Sequence, residues 1–341
     1  MAFISSKICS GVPDFDYPCG LLAPNEVLSP TVFLLPLTLV RFGEYHQFMF
    51  NETGTGYPAS IKRTGRGRGV FSLTCSLMSA CLFAAYGEQA RRPIDVYDGF
   101  ESATLSAVWS TERSLPGAIT IQSQVVRSGR SAAAITLRPG DQLPDEKGSV
   151  LERAELMEAR ELTSCEDAAY SYSFSMFLPK DFPVLPVRLV IAQWKQYCPS
   201  DQCTLDNPVL ALRYRSGELS VTLHVGPKTR ALFSTRDEVR GKWLDFTFLI
   251  RFSQGDRGWV KASLNGREIA DYTGPTAYTE AFGYPPSGRF FFKMGLYRDR
   301  TPETMTIYID EYRKKELSGK DSKLALSSNP DNLVLEFCAK K

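Results

Sequence analysis

Residues Arg289 to Arg298 (Arg-Phe-Phe-Phe-Lys-Met-Gly-Leu-Tyr-Arg) alternate so regularly that they read as one β-strand with a buried face and a working face. Phe290, Phe292, Met294 and Leu296 point one way, into a core. Phe291, Lys293, Gly295 and Tyr297 point the other way. The second face sets an ammonium and a phenol two pleats apart around a glycine, where the backbone is open to close approach by a ligand. Taken alone, the pattern also describes a half-exposed strand with a snorkelling lysine and a tyrosine at its rim.

The same period recurs from about Asp95 onward. Short alternating segments run over Ala132 to Leu137, Leu151 to Met157, Tyr170 to Leu178, Arg188 to Lys195, Val209 to Tyr214, Leu219 to Val225, Leu244 to Phe252, Trp259 to Leu264, Phe290 to Tyr297 and Met305 to Tyr312. Pro-Gly, Ser-Gly, Asn-Gly and Gly-Asp signals separate them, and no helix of useful length intervenes. This predicts a single all-β sandwich or jelly roll over residues 95–317, with Asn265-Gly266 closing a hairpin and residues 318–341 forming a C-terminal tail.

The first ninety residues lack this alternation. Lys62, Arg63, Arg66 and Arg68 precede an apolar, small-residue stretch from Gly69 to Ala85, and charge resumes at Glu88, Arg91 and Arg92. That is the order of a secretory signal, so residues 62–87 read as a signal peptide-like segment, too short and too lightly apolar for a membrane span. Residues 1–61 then read as an upstream extension or disordered leader ahead of the true start. Two exits fit: cleavage after Ala85-Tyr86-Gly87, or a lipid anchor at Cys81 after Met78-Ser79-Ala80. A buried helix of a real N-terminal domain is the competing account. The first reading predicts a bacterial protein that is secreted or periplasmic, with a lipoprotein as the lesser alternative. Cys198 and Cys203, close together in a polar loop, fit a small disulfide-closed loop of an oxidising compartment.

Forty Lys and Arg nearly cancel thirty-eight Asp and Glu. No global field recruits nucleic acid or membrane, so an anionic partner has to be held by local charge. With two histidines in the chain and no second close cysteine pair, a zinc site has little to build on.

Three strands share one logic. Arg153 and Glu155 share a face opposite Ala154 and Leu156, and Gln193 and Lys195 share a face opposite Val190, Ala192 and Trp194. With Lys293 and Tyr297 they would line one sheet face that suits a polyanion. The matching chemistry is β-elimination on a uronic-acid polysaccharide, in which the substrate carboxylate must be neutralised before its neighbouring proton can leave. Arg153 and Gln193 fit the neutralising role. Tyr297 fits the acid and, with a lowered pKa, the base; Lys195 is the other candidate base. Glu155, Phe291, His224 and Arg298 complete the predicted substrate contacts, and Tyr284 is a further candidate stacking ring. His224 would lie on a polar strand face with Ser220 and Thr222, as a groove residue or a solvated one. Arg298 would reach the groove end or form a turn salt bridge.

Glu152-Arg153-Ala154-Glu155-Leu156, Gln193-Trp194-Lys195 and Phe291-Phe292-Lys293-Met294-Gly295-Leu296-Tyr297 fall in the order seen in jelly-roll polysaccharide lyases. Asp98-Gly99-Phe100-Glu101, Ser128-Gly129-Arg130-Ser131-Ala132 and Ile309-Asp310-Glu311 extend the likeness over about residues 95–317. The chain most resembles the heparin lyase I and glucuronan lyase group, with alginate lyases more distant. The resemblance implies a concanavalin A-like β-jelly roll sandwich with a concave substrate groove, and an anionic polysaccharide as substrate. It also implies Tyr297 as the catalytic tyrosine, with Lys293, Arg153 and Gln193 beside it, and no required cofactor. A structural calcium ion near Asp310 and Glu311 is compatible with it. Many relatives carry histidine where this chain has Lys195, which favours tyrosine in a double role. Two rivals share the architecture: a noncatalytic, lectin-like carbohydrate-binding protein, and a glycoside hydrolase, which would need two carboxylates such as Glu152 and Glu158 facing the cleft.

Overall fold

A computed structural model describes residues 92–110, 113–144, 148–199 and 201–322 of the chain. The signal-like segment, the Cys81 exit and residues 323–341 of the tail lie outside them. Among the described residues, sixteen strands pair antiparallel into two sheets. Sheet A runs β14 (Arg267–Thr273), β13 (Trp259–Leu264), β12 (Trp243–Arg251), β7 (Ala169–Phe177), β16 (Met305–Leu317), β4 (Ala132–Leu137) and β3 (Ile119–Gln122), with β1 (Asp95–Asp98) also on β16. Sheet B runs β11 (Arg230–Thr235), β10 (Glu218–Leu223), β9 (Leu210–Arg215), β8 (Leu189–Gln196), β15 (Arg289–Asp299), β5 (Leu151–Glu158) and β2 (Trp109–Ser110), with β6 (Ser164–Cys165) on β15. The architecture is the all-β jelly-roll sandwich that the alternation predicts.

Local chemistry explains the hairpins. Asn265 and Gly266 both take positive φ (50° and 77°) between β13 and β14, and Ser216 and Gly217 do the same (51° and 77°) between β9 and β10. Two consecutive residues of positive φ are what a tight two-residue hairpin needs to match the twist of its strands.

The inward faces of both sheets supply the core. Trp194 of β8 lies 4.8 Å from Phe292 of β15 and 4.6 Å from Phe248 of β12 between ring centroids, and Phe174 and Tyr172 of β7 close the cluster at 5.6 and 5.4 Å from Phe292. All five rings are buried. Burial of large rings in offset and tilted pairs dominates the adhesion of two sheets and clamps the central strands of sheet B from behind. The outer face of those strands is thereby a rigid platform. Cys198 and Cys203 form a disulfide in the loop that leaves β8, with Cα atoms 6.2 Å apart. Among the described residues, no helix is long and apolar enough to cross a membrane.

Candidate active site

The platform centres on β15, with β5 on one side and β8 on the other. Register places Tyr297 opposite Arg153, Gly295 opposite Glu155, Lys293 between Met157 and Gln193, and Phe291 opposite Lys195. Arg153, Gln193, Lys293 and Tyr297 therefore do come together, on the outer face of sheet B.

Gly295 is explained by the sheet itself rather than by a ligand. Its φ is 144°, and a Cβ there would lie 2.4 Å from the carbonyl oxygen of Ala154 on β5. The neighbouring backbone fills the space expected to be open to substrate. Beside Gly295, register shifts between Met294 and Tyr297 on β15 and between Val190 and Ala192 on β8 mark β-bulges. They reverse the parity expected on β8: Leu189 and Ile191 join the core cluster, while Val190, paired with both Tyr297 and Arg213, stays outside it. A bulge re-aims side chains in this way.

One carboxylate organises the site. Glu155 is 1% exposed. It accepts hydrogen bonds from the Gln193 amide and from Arg153 Nη1 (3.3 Å), with Lys293 Nζ at 4.0 Å. Lys293 is itself buried, and desolvation pushes its ammonium down to about 8 against the pull of Glu155; Arg153, Lys195 and Arg113 push the same way as burial. The guanidinium of Arg153 lies 4.3 Å over the Tyr297 ring, and that of Arg188 lies 5.5 Å from it. Tyr297 is thus a half-exposed phenol with two guanidinium groups beside its ring.

Other predicted residues sit differently. Lys195 is half-buried and ion-paired with Asp206 at 2.8 Å. An ammonium held in an ion pair has no lone pair with which to take a proton. Phe291 is half-exposed with Lys293 Nζ 5.3 Å from its ring. Arg298 does not reach the groove, because its side chain is fully buried on the core side, donating from Nε to Glu152 (3.0 Å) and from Nη1 to the carbonyl of Glu303 (2.6 Å). His224 is not a solvated strand residue. It follows β10, is buried, and bonds through Nδ1 to the Tyr278 hydroxyl; burial and then Arg213 lower its pKa. Tyr284 is no platform for a sugar either: it is buried, stacked on Tyr278 and donates to the carbonyl of Leu205.

Asp310 and Glu311 belong to sheet A. Asp310 accepts from the backbone N–H groups of Arg127, Ser128 and Glu311, while Glu311 accepts from the hydroxyls of Ser128 and Tyr97. Among the described residues no group of three or more His, Cys, Asp or Glu is arranged to hold a metal ion.

Sequence reasoning missed three arginines. The carbonyl of Arg113 accepts from Glu155 N (2.9 Å), Arg188 pairs with Asp299 (2.7 Å) beside Tyr297, and Arg213 projects from β9. Arg213 was visible in the alternation of Leu210, Leu212 and Tyr214 against Ala211, Arg213 and Arg215. Arg188 was not, since the alternation read over Arg188 to Lys195 puts it on the face of Ala192 and Trp194, and the bulge on β8 re-aims that end of the strand.

A profile of the polysaccharide lyase family matches residues 100–313, more than half of the chain. The chain belongs to the polysaccharide lyase family. Among solved structures, this lyase is similar to the endo-β-1,4-glucuronan lyase of the fungus Trichoderma reesei (20% identity, 61% of this chain and 90% of that one, TM-score 0.48). It is also similar to the cellulose-induced protein Cip1 (12% identity, 64% and 96%, TM-score 0.44) and to the alginate lyase of Corynebacterium sp. (15% identity, 60% and 82%, TM-score 0.41). No curated protein matches the chain in sequence.

Proposed function

We propose that this lyase cleaves a uronic-acid polysaccharide by β-elimination on the outer face of sheet B, outside the cytoplasm. The observation that carries the reading is the convergence of Arg153, Gln193 and Lys293 on the buried carboxylate of Glu155, with Tyr297 at its rim. A uronate carboxylate brought beside Arg153, Gln193 and Lys293 is neutralised there, and these preorganised donors stabilise the enolate-like species that forms when C5 loses its proton. The electron pair of the C5–H bond becomes the C4–C5 double bond, and the bond from C4 to the glycosidic oxygen breaks. That oxygen takes up a proton and leaves as a hydroxyl. Tyr297 supplies the proton to the leaving oxygen and, as phenolate between Arg153 and Arg188, removes the one from C5. Lys195, paired with Asp206, acts as a charge rather than as the base. The disulfide supports secretion.

A hydrolase is disfavoured by placement. Glu152 and Glu158 are both buried on the core side, held by Arg298 and Lys314. The test is ultraviolet absorbance of the unsaturated uronate while residues 88–341 are incubated with glucuronan, heparin, heparan sulfate, hyaluronan and alginate. A rise with one glycan, abolished by Tyr297→Phe, is the expected result. Binding that survives this change, with no unsaturated product from any glycan, would make the chain a carbohydrate-binding protein instead.

A further inference from the structure

Arg213 is a half-buried cation of the outer face that, among the described residues, meets no carboxylate. It stands on the β9 strand directly across Val190 from Tyr297, so Tyr297, Val190 and Arg213 form a row over three strands, two strand spacings or about 10 Å from end to end. Its Nε donates to Thr222 Oγ1 at 3.0 Å, and among the described residues no carboxylate pairs with it. Arg153 is held by Glu155, Arg188 by Asp299 and Lys195 by Asp206; Arg215, two residues further along β9, is exposed and bonds to the Pro186 carbonyl, which leaves Arg213 as the half-buried cation of this row without a carboxylate. The side chain is half-buried. Burial and the charge of Arg188 lower its pKa, and the groups that oppose them are two tyrosines, Tyr297 and Tyr278. A partly desolvated guanidinium without a counter-ion is unfavourable to the fold until an anion meets it. Its planar fork suits a carboxylate or sulfate in a two-bond contact.

We propose that Arg213 forms a second anion-binding subsite, on the far side of Tyr297 from Arg153, which holds the carboxylate or sulfate of a sugar neighbouring the one that is cleaved. The proposal rests on the reading of this face as the glycan site. It makes the lyase selective for chains that carry negative charge on sugars flanking the scissile bond.

The test uses Arg213→Met and Arg213→Lys with three oligosaccharides: one of consecutive uronates, one unsulfated with uronate at every second sugar, and one sulfated. Arg213→Met raises KM about tenfold or more on the substrate whose anion fills the subsite, with kcat within about twofold, and Arg213→Lys recovers part of the loss. Loss confined to consecutive uronates identifies a carboxylate; loss on the sulfated oligomer identifies a sulfate. The melting temperature of Arg213→Met stays level or rises, because an unpaired buried charge has been removed. A KM unchanged on all three, or a lower melting temperature with kcat and KM failing together on all three, overturns the proposal. If the wild type eliminates none of them, the proposed function falls, and calorimetric binding decides on the subsite separately. Tighter binding by wild type than by Arg213→Met, tenfold or more, sustains it, and equal or absent binding refutes it.

Discussion

Strand β5 carries three glutamates, and its two faces treat them in opposite ways. Glu152 and Glu158 point inward, where each meets a matching cation: Arg298 Nε at 3.0 Å for the first, and Lys314 Nζ at 2.9 Å for the second. Glu158 also accepts from the Tyr312 hydroxyl and from the backbone of Phe292, while Lys314 lies 4.9 Å from the Tyr172 ring centroid. These clusters are closed and charge-balanced, although desolvation still raises the pKa of Glu158 against the pull of Lys314. Glu155 points outward and is just as buried, but it is shared by Arg153, Gln193 and Lys293 rather than matched to one cation, and desolvation lowers the pKa of Lys293 against its pull. Burial alone therefore does not distinguish the two faces; what differs is whether each carboxylate is matched to one cation or shared among several donors.

Several substitutions sharpen or break that contrast. On the outer face, Tyr297→Phe should lower the elimination rate by about a hundredfold or more while leaving the fold intact, as circular dichroism alongside the kinetic assay would check. In the core, Lys314→Met should destabilise by about 3–5 kcal/mol in denaturant titration, because the Glu158 carboxylate is left buried without its cation. Pairing it with Glu158→Gln should return most of that stability, and a double variant as weak as the single one would break the contrast.

The pH response comes next in size. Activity that needs the Lys293 ammonium falls as pH rises through about 8. Glu155→Gln removes the group that raises the Lys293 pKa, so this alkaline limb should move to lower pH in rate profiles. Stability has the opposite slope. Between about pH 8 and the ordinary lysine value of about 10.4, the unfolded chain binds a proton that folded Lys293 has released, so the contribution of this group to stability rises with pH across that window. Thermal melts of Lys293→Met should lack the rise. The smallest change is expected for Asp206→Asn, which breaks a largely exposed pair and should alter stability by about 0–1 kcal/mol.

Where alternation controls a strand, the sequence predicted it closely. Ala132–Leu137 and Trp259–Leu264 are found as read, and Phe290 to Tyr297 lies within Arg289–Asp299 with its faces as expected. Strands β2 and β6 have two residues each, too few to display a period, and β11 pairs with β10 through a bulge between Val221 and Thr222. Bulges also account for errors within the site, since one extra residue on β8 exchanges the faces of Val190 and Ile191. Arg298 misled for a different reason. A terminal arginine on a strand of mixed faces reads as exposed, and its partner Glu152 lies 146 residues away in sequence. Parity did place Arg153, Gln193, Lys293 and Tyr297 on one face, but it could not show that a single carboxylate ties the first three together.

The proposed elimination takes place on the outer face of sheet B, where Arg153, Gln193, Lys293 and Tyr297 meet. Mass spectrometry of the oligosaccharides released from a uronan by residues 88–341 tests it most directly. Elimination predicts new non-reducing ends one water lighter than hydrolysis would leave, and none from Tyr297→Phe. Products that have gained the elements of water would contradict the account.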